Sequence, residues 1–530
     1  DADDRADPRL AEALVGAARD LPGALLSATW EQQIDNGYPN VAYDDGKWRL
    51  WYTDCEGQPS KRCHKQLLLY AEADADEGLS FDDAASYEPS AWRKPAVPGH
   101  LPIPRHSAPP ADTTNSTPSP TPQPEEGWYP SNIVTQGNNV GVTWLPDANK
   151  YAVFGDLCVP KSKNDDKESD VAPRSQAASC PSASSGYPAY YKTNLVLSKD
   201  GFFPLTEDAA GEVVLFDKPQ RWDKAHNNIF HDPLRDTFVA TTALYEDKQT
   251  HVGIAIAETL PKLWGGKANK GIVPEVIQTL AADSDDVYPV AQVTFAWHSV
   301  YLGLVAVRTY AESTETDDYK VYSKLAFANN PPQSGWRVLD GDGGSLKGAS
   351  EYVALGTEPE AFDSHFIFAA RPVEDPITGD YRVYYFGSDA PRRDPEVDFS
   401  ENIPLKQTIR NTTLGLAVIP RDRFAGVTGH TGSRTVQTTK IKCTDPILTL
   451  TLDAPDETSC LLVIMVTGPN GVRLAQQPNP EFCGPANYTD HAVRDFNLTD
   501  LVGSHVHIDF QFAHEPVLYT IGFRNSSFWD

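Results

Sequence analysis

The sequence predicts an all-β chain: a five-bladed β-propeller followed by a β-sandwich domain. Three observations lead there. Helical periodicity is confined to one short stretch near the beginning. β-branched and aromatic runs alternate with turn residues through the remainder, and one strand–turn–strand pattern recurs five times in the same internal order.

Residues 1–30 hold the helical stretch, Arg9 to Asp20, which Pro22-Gly23 stops. The propeller is placed at 31–428. Its first repeat reads NVAYDDGKWRLWYT then LLLYAEADADEGLSF, and the second NVGVTWLPDANKYAVFGD then TNLVLSKDGFFPL. The third reads NNIFHDPLRDTFVATTAL then VGIAIAETLPKLW, and the fourth AQVTFAWHSVYLGLVAV then SKLAFANNPPQSGW. The fifth is HFIFAARPVEDPITGDYRVYYFG then TTLGLAVIPRDRF. Each copy supplies about four short strands, the content of one blade. Two insertions interrupt the pattern, a Pro/Ser/Thr-rich run at 94–126 and a polar one at 160–187. Neither carries enough apolar residues to pack, so both are read as solvated loops. Over 429–530, segments such as ILTLTLDA, CLLVIMVT and VHIDFQFAH alternate apolar and polar residues around a Pro469-Asn470-Gly471 turn, which predicts the sandwich.

The 530 residues carry 45 Lys+Arg against 73 Asp+Glu, a net charge of −28. Such a surface repels polyanions, which excludes nucleic acid and anionic membrane as principal partners. No apolar run approaches the ~20 residues of a membrane span. Cys55 and Cys63 flank a short polar turn, and Cys158 and Cys180 flank a Ser/Lys/Asp-rich excursion; each pair reads as a disulfide closing a loop. Cys443, Cys460 and Cys483 remain and read as one pair, placed at Cys460 and Cys483, plus a free thiol, although the residues alone leave the pairing of the three open. Sequons stand at Asn115, Asn411, Asn487, Asn497 and Asn525. Disulfides and sequons together predict a secreted, extracellular glycoprotein. No metal site and no redox cofactor are expected, since CxxC and HExxH spacings are absent. Asp340-Gly-Asp-Gly-Gly lacks the closing Glu of a calcium loop and reads as a turn, which leaves at most a structural calcium ion.

Certain motifs carry a resemblance. GYPNVAYDDGKWRLWYT and HNNIFHDPLRDTFVATT resemble blade-opening segments of the five-bladed β-propeller glycoside hydrolases. DDVYPV at 285–290, AFDSHFIFAARP at 361–372 and LGLAVIPRDRF at 414–424, in that order, resemble a branch related to the invertase/fructanase and arabinanase-type families. The resemblance spans about residues 30–528 and implies a propeller with a C-terminal β-sandwich acting on carbohydrate. The departures are specific. The invertase Trp-x-Asn-Asp-Pro-Asn-Gly and Glu-Cys motifs are missing, and Arg-Asp-Pro occurs only at 393–395. Tyr38 stands where arabinanase-type relatives place a catalytic Asp in the first blade, and His226 at the equivalent position of the third.

A propeller aims the openings of its innermost strands at one funnel, and glycoside hydrolysis needs two carboxyls there: one protonates the leaving oxygen, the other attacks or activates water. Asp286 and Asp363, both inside the shared motifs, are the expected pair, with Asp35 and Glu360 in reserve. His226, Asn227 and Asn228 open the third repeat and could hold sugar hydroxyls. Arg308 and Arg371 end inner-strand runs and could meet the acids or a substrate carboxylate, and Trp128 could stack on a sugar face. Trp51 and Trp144 are read as core, and Asp232-Pro233 as a hairpin turn. Two functions fit these residues: a secreted glycoside hydrolase acting on an oligo- or polysaccharide, or a catalytically inactive propeller that binds carbohydrate or serves as a structural, self-assembling extracellular subunit.

Overall fold

The computed structural model describes residues 37–56, 65–74, 92, 133–160, 189–199, 201, 214–216, 228–246, 249–264, 275–277, 287–298, 300–310, 319–328, 336–339, 346, 351–357, 361–389, 412–428, 434–469, 471, 473–478 and 482–524. The predicted helix at 9–20, the 94–126 insertion and residues 161–187 lie outside them. Apart from one short helix, α1 (Leu260–Trp264), and single 3-10 turns, the described residues are strand and connection, so the chain is all-β. It divides into two compact units. Among the described residues, the larger takes those within 9–373 and 382–417, and the smaller those within 374–381 and 418–530.

In the larger unit, the first repeat forms β1 (Asn40–Asp44), β2 (Lys47–Glu56) and β3 (Lys65–Asp74), joined by antiparallel pairing. Asp45 and Gly46 both take positive φ, 51° and 73°, the backbone that a tight two-residue hairpin demands. β4 (Ile133–Leu145) serves two sheets. Its first residues pair with β3, and from Gly137 onward it pairs with β5 (Lys150–Pro160), followed by β6 (Ala189–Ser198) and β7 (Val214–Phe216). The third repeat is an antiparallel sheet of β8 (Asn228–Asp232), β9 (Thr237–Glu246), β10 (Gln249–Ala257) and β11 (Glu275–Ile277). The fourth comprises β12 (Val287–Trp297), β13 (Val300–Tyr310), β14 (Tyr319–Ala328) and β15 (Arg337–Val338). In the fifth, β16 (Phe366–Ala369), β17 (Val373–Glu374), β18 (Tyr381–Ser388) and β19 (Thr412–Ile419) follow, β16 and β19 both pairing with β18.

Strands in this unit are buried on both faces, which explains why they read as near-continuous apolar runs. Side chains alternate across a strand. Trp48 and Tyr52 of β2 point one way, to Tyr384 at 5.9 Å and Phe386 at 5.8 Å in the fifth repeat. Trp51 points the other way, to Tyr151 at 5.0 Å in the second. Burying each such ring stabilises the fold by about 1.5–3 kcal/mol. Trp51 is therefore core, as the sequence suggested, and half-buried Trp144 packs against Tyr151 in the same cluster.

Polar ties join neighbouring repeats at the same places. Asn40, at the opening of β1, accepts the Val142 N–H at 3.0 Å and donates to the Val140 carbonyl at 3.0 Å, both in β4. Asn228, at the opening of β8, accepts the Thr294 N–H of β12 at 3.3 Å. At the far ends of the same strands, Asp44 accepts the Tyr151 hydroxyl at 3.0 Å, and Asp232 accepts the Tyr301 hydroxyl at 2.5 Å. Apolar clusters fill the other junctions. Leu145 and Phe154 pack with Ile229 and Ala240, while Ala291 and Val321 pack with Phe366, Phe368 and Tyr38.

In the smaller unit, two sheets share one core. The first has the order β20 (Val427–Thr428), β28 (Val517–Arg524), β23 (Ile447–Ala454), β26 (Ala486–Asn497). The second runs β21 (Arg434–Gln437), β27 (His505–Ala513), β24 (Cys460–Thr467), β25 (Arg473–Pro478), with β22 (Ile441–Lys442) also on β27. Leu448, Leu450 and Leu452 from β23 meet Val506, Ile508, Phe510 and Phe512 from β27, each series spaced by two as a half-buried strand requires. Arg423 grips Asp453 through two nitrogens, at 3.1 and 2.8 Å. Cys460 and Cys483 form a disulfide, and Cys443 is the buried free thiol.

Candidate functional site

Of the four acids expected to work in a funnel, Asp363 is the one within the described residues; Asp35, Asp286 and Glu360 lie outside them. Asp363 sits in the turn that enters β16 and is 0% exposed. Tyr385 of β18 donates its hydroxyl to Asp363 Oδ2 at 3.0 Å, and Phe362 stacks on the Tyr385 ring at 6.1 Å. Two glycines make the space. A Cβ on Gly356 would lie 2.3 Å from Asp363 Oδ1, and one on Gly387 would lie 2.5 Å from the Asp363 Cβ. The turn is held on both sides, because the His365 N–H donates to Ser388 and the Val321 N–H to the His365 carbonyl, each at 2.9 Å. This is a carboxyl fixed in position and enclosed.

Asn228 is 4% exposed, and its side-chain oxygen accepts from the Thr294 N–H and, at 3.5 Å, from the Thr241 hydroxyl. It holds β8 against β12. His226 and Asn227, which precede it, lie outside the described residues, as does Trp128. Asn40 performs the corresponding tie in the first repeat and was missed by sequence reasoning, although its signal was present: in both repeats an Asn directly precedes the apolar pair that opens the first strand.

The two arginines differ. Arg308 lies in β13 opposite Tyr288, its guanidinium 5.8 Å from that ring. Arg371 follows β16, and its guanidinium lies 5.9 Å from the ring of Phe230 in β8, so the first strands of the third and fifth repeats both contribute to its surroundings. Burial lowers its pKa to about 10, because a cation that gives up hydration is disfavoured. Among the described residues it has no carboxylate partner. Tyr38, which the resemblance set against an arabinanase-type Asp, is buried with its ring 5.2 Å from Phe368.

Asn487 and Asn497 are exposed on β26, whereas Asn115, Asn411 and Asn525 lie outside the described residues. The backbones of Cys55 in β2 and Cys158 in β5 are described; Cys63 and Cys180 are not. No group of three His, Cys, Asp or Glu side chains able to hold a metal occurs among the described residues, and the Asp340–Gly344 string falls outside them. None of their helices is long and apolar enough to cross a membrane.

No protein-family model matches the chain, and no curated protein matches it. Solved structures that it is similar to include an N-acetylgalactosamine deacetylase from F. plautii, with TM-score 0.41 and 11% identity over 76% of this chain and 95% of that one. An α-L-arabinofuranosidase from Podospora anserina has TM-score 0.38 and 11% identity over 76% and 95%. A β-fructofuranosidase from Bombyx mori has TM-score 0.35 and 11% identity over 91% and 90%. Likeness at this level transfers no chemistry, which resides in a site and not in a fold.

Proposed function

We propose that the larger unit is a five-bladed propeller whose funnel takes an oligo- or polysaccharide, that the smaller unit is a β-sandwich, and that the chain is a secreted glycoside hydrolase. The observation that carries the propeller is the succession of contacts between repeats. The first reaches the second through Asn40 and Tyr151, and the third reaches the fourth through Asn228 and Tyr301. The fourth meets the fifth where Val321 pairs with Phe366, and the fifth packs back on the first through Tyr384, Phe386 and Phe368. Sheets that contact their neighbours in chain order, the last returning to the first, fit radial packing about an axis.

The order of the three motifs supports the carbohydrate reading, as does the place of the acids. Asp286 directly precedes β12, and Asp363 stands three residues before β16. In the hydrolase, one carboxyl gives its proton to the leaving oxygen and the other attacks the anomeric carbon or activates water; a separation of about 5–5.5 Å goes with retention and about 6.5–9.5 Å with inversion. Asp286 is assigned direct contact with the sugar, and the second carboxyl is sought in the reserves, Asp35 and Glu360. Asp363, enclosed and bonded to Tyr385, positions the β16 end of the site.

One observation favours the second reading, the inactive carbohydrate-binding propeller: complete enclosure of Asp363. Reducing-end release from a broad glycan panel separates the two. The hydrolase reading expects turnover that falls by about a thousandfold or more in Asp286→Asn, in keeping with loss of an acid–base group, while the melting temperature is kept. Glycan binding without turnover selects the binding protein, and neither binding nor turnover defeats both.

A further inference from the structure

We propose that Arg371 recognises an anionic group, a carboxylate or a sulfate ester, on the saccharide that the larger unit binds. This rests on the carbohydrate reading and specifies its substrate class.

The observation is a contrast among arginines of the same unit. Arg49 lies 3.4 Å from Asp44, and Arg235 lies 2.8 Å from Asp232. With 73 acidic residues against 45 basic ones, carboxylates are plentiful in this chain. Arg371 nonetheless faces an aromatic ring, and no carboxylate approaches it among the described residues. Phe230 is backed by the edge of Tyr301 at 5.8 Å, so the surface under the guanidinium is made of rings. A guanidinium over a ring keeps its planar fork of N–H donors free at the rim, the geometry that receives a carboxylate or sulfate through two parallel bonds. Partly burying a cation that no described carboxylate meets opposes folding, and such a penalty persists where a ligand removes it. Arg371 is half-buried as a residue, so the side chain is not sealed within the core.

Arg371→Met keeps the length and apolar character of the side chain and deletes the charge. The test titrates the full chain calorimetrically with three matched oligosaccharides: neutral, uronate-bearing and sulfated. The wild type binds at least one anionic member about ten- to a hundredfold more tightly than the neutral one, in line with one charge-assisted contact. Arg371→Met loses that preference, leaves neutral binding within about threefold, and melts at the same or a higher temperature. The uronate and sulfate arms tell which anion is read. A wild type with no anionic preference overturns the proposal but leaves the carbohydrate reading intact, and so does an unchanged preference in Arg371→Met. A lower melting temperature in Arg371→Met overturns it by marking a structural role. Failure of all three sugars to bind defeats the carbohydrate reading itself.

Discussion

The tie between the first and second repeats and that between the third and fourth use the same parts in different surroundings. In each, an Asp ends the first strand, an Arg follows in the hairpin or next strand, and a Tyr from the neighbouring repeat donates its hydroxyl to the Asp. In the first tie, the Asp44 side chain keeps 27% of its surface in water. In the second, Asp232 keeps none, and a third donor is added, the Leu234 N–H at 3.0 Å. Desolvation of a carboxylate has to be offset by hydrogen bonds, so the donor set grows as water leaves. The arginines go the other way: Arg49 is 16% exposed and Arg235 29%. The sealed acid is thus served by a cation that itself stays partly hydrated, which limits the cost of burying two charges together.

The largest expected effect follows from that difference. Asp232→Ala strips Tyr301, Arg235 and the Leu234 N–H of one acceptor and should lower stability by about 3–5 kcal/mol, whereas Asp44→Ala, partly hydrated, should cost about 1 kcal/mol. Urea unfolding of the two variants measures both; equal losses would break the comparison. The pH dependence sharpens it. Burial alone would raise the Asp232 pKa, but the bonds from Tyr301, Arg235 and Leu234 overcome it, and the carboxyl ionises below its ordinary value. A group whose pKa is lower folded than unfolded binds fewer protons in the native state. Its contribution is therefore complete above the unfolded pKa of about 3.9 and disappears as pH falls through the folded value. Asp232→Asn should accordingly flatten the acid limb of the stability curve relative to the wild type.

Next in size are the asparagines. Asn40→Ala orphans a buried N–H and a buried carbonyl on β4, held now at 3.0 Å each, and should cost about 2–3 kcal/mol. Asn228→Ala orphans chiefly the Thr294 N–H, bonded at 3.3 Å, and should cost about 1–2 kcal/mol. Thermal melts of the two single variants rank them, and the reverse order would show that β8 leans on its asparagine more than β1 does.

These same residues show what could be read from the chain and what could not. Repeats one and three were legible because their hairpins are short: Asp45-Gly46 turns at positive φ, and Asp232-Pro233 opens a turn that the Asp caps. The alternating leucines of β23 and the β27 series announced the smaller unit. Hidden from the sequence was the double service of β4, whose first residues complete one sheet before the rest opens another; nothing in IVTQGNNVGVTWL marks the handover. Asp232 read as a hairpin residue, and so it is, but its bond to Tyr301 spans 69 positions, and partners that far apart leave no spacing to detect. Arg371 was legible as a candidate cation. That it rests over a ring and apart from any described carboxylate depends on how β8 and β16 are brought together, which only the fold supplies.

The smallest effect isolates the phenols. Tyr301→Phe removes one of three donors from a sealed carboxylate and should cost about 1–2 kcal/mol; Tyr151→Phe removes a donor from a carboxylate that water can reach and should cost less than about 1 kcal/mol. Burial first, then the neighbouring carboxylate, raises both phenol pKa values well beyond the ordinary range, while Arg49 and Arg235 pull the other way. A phenol whose pKa is higher folded than unfolded gives stability that is complete below its unfolded pKa of about 10 and is lost as pH rises towards the folded value. Each Phe variant should therefore blunt the alkaline loss of stability. Absorbance titration of tyrosinate checks it: in the wild type these two rings ionise only as the unit unfolds, and a phenol that titrated before unfolding would mean that the tie between repeats opens without the sheets coming apart.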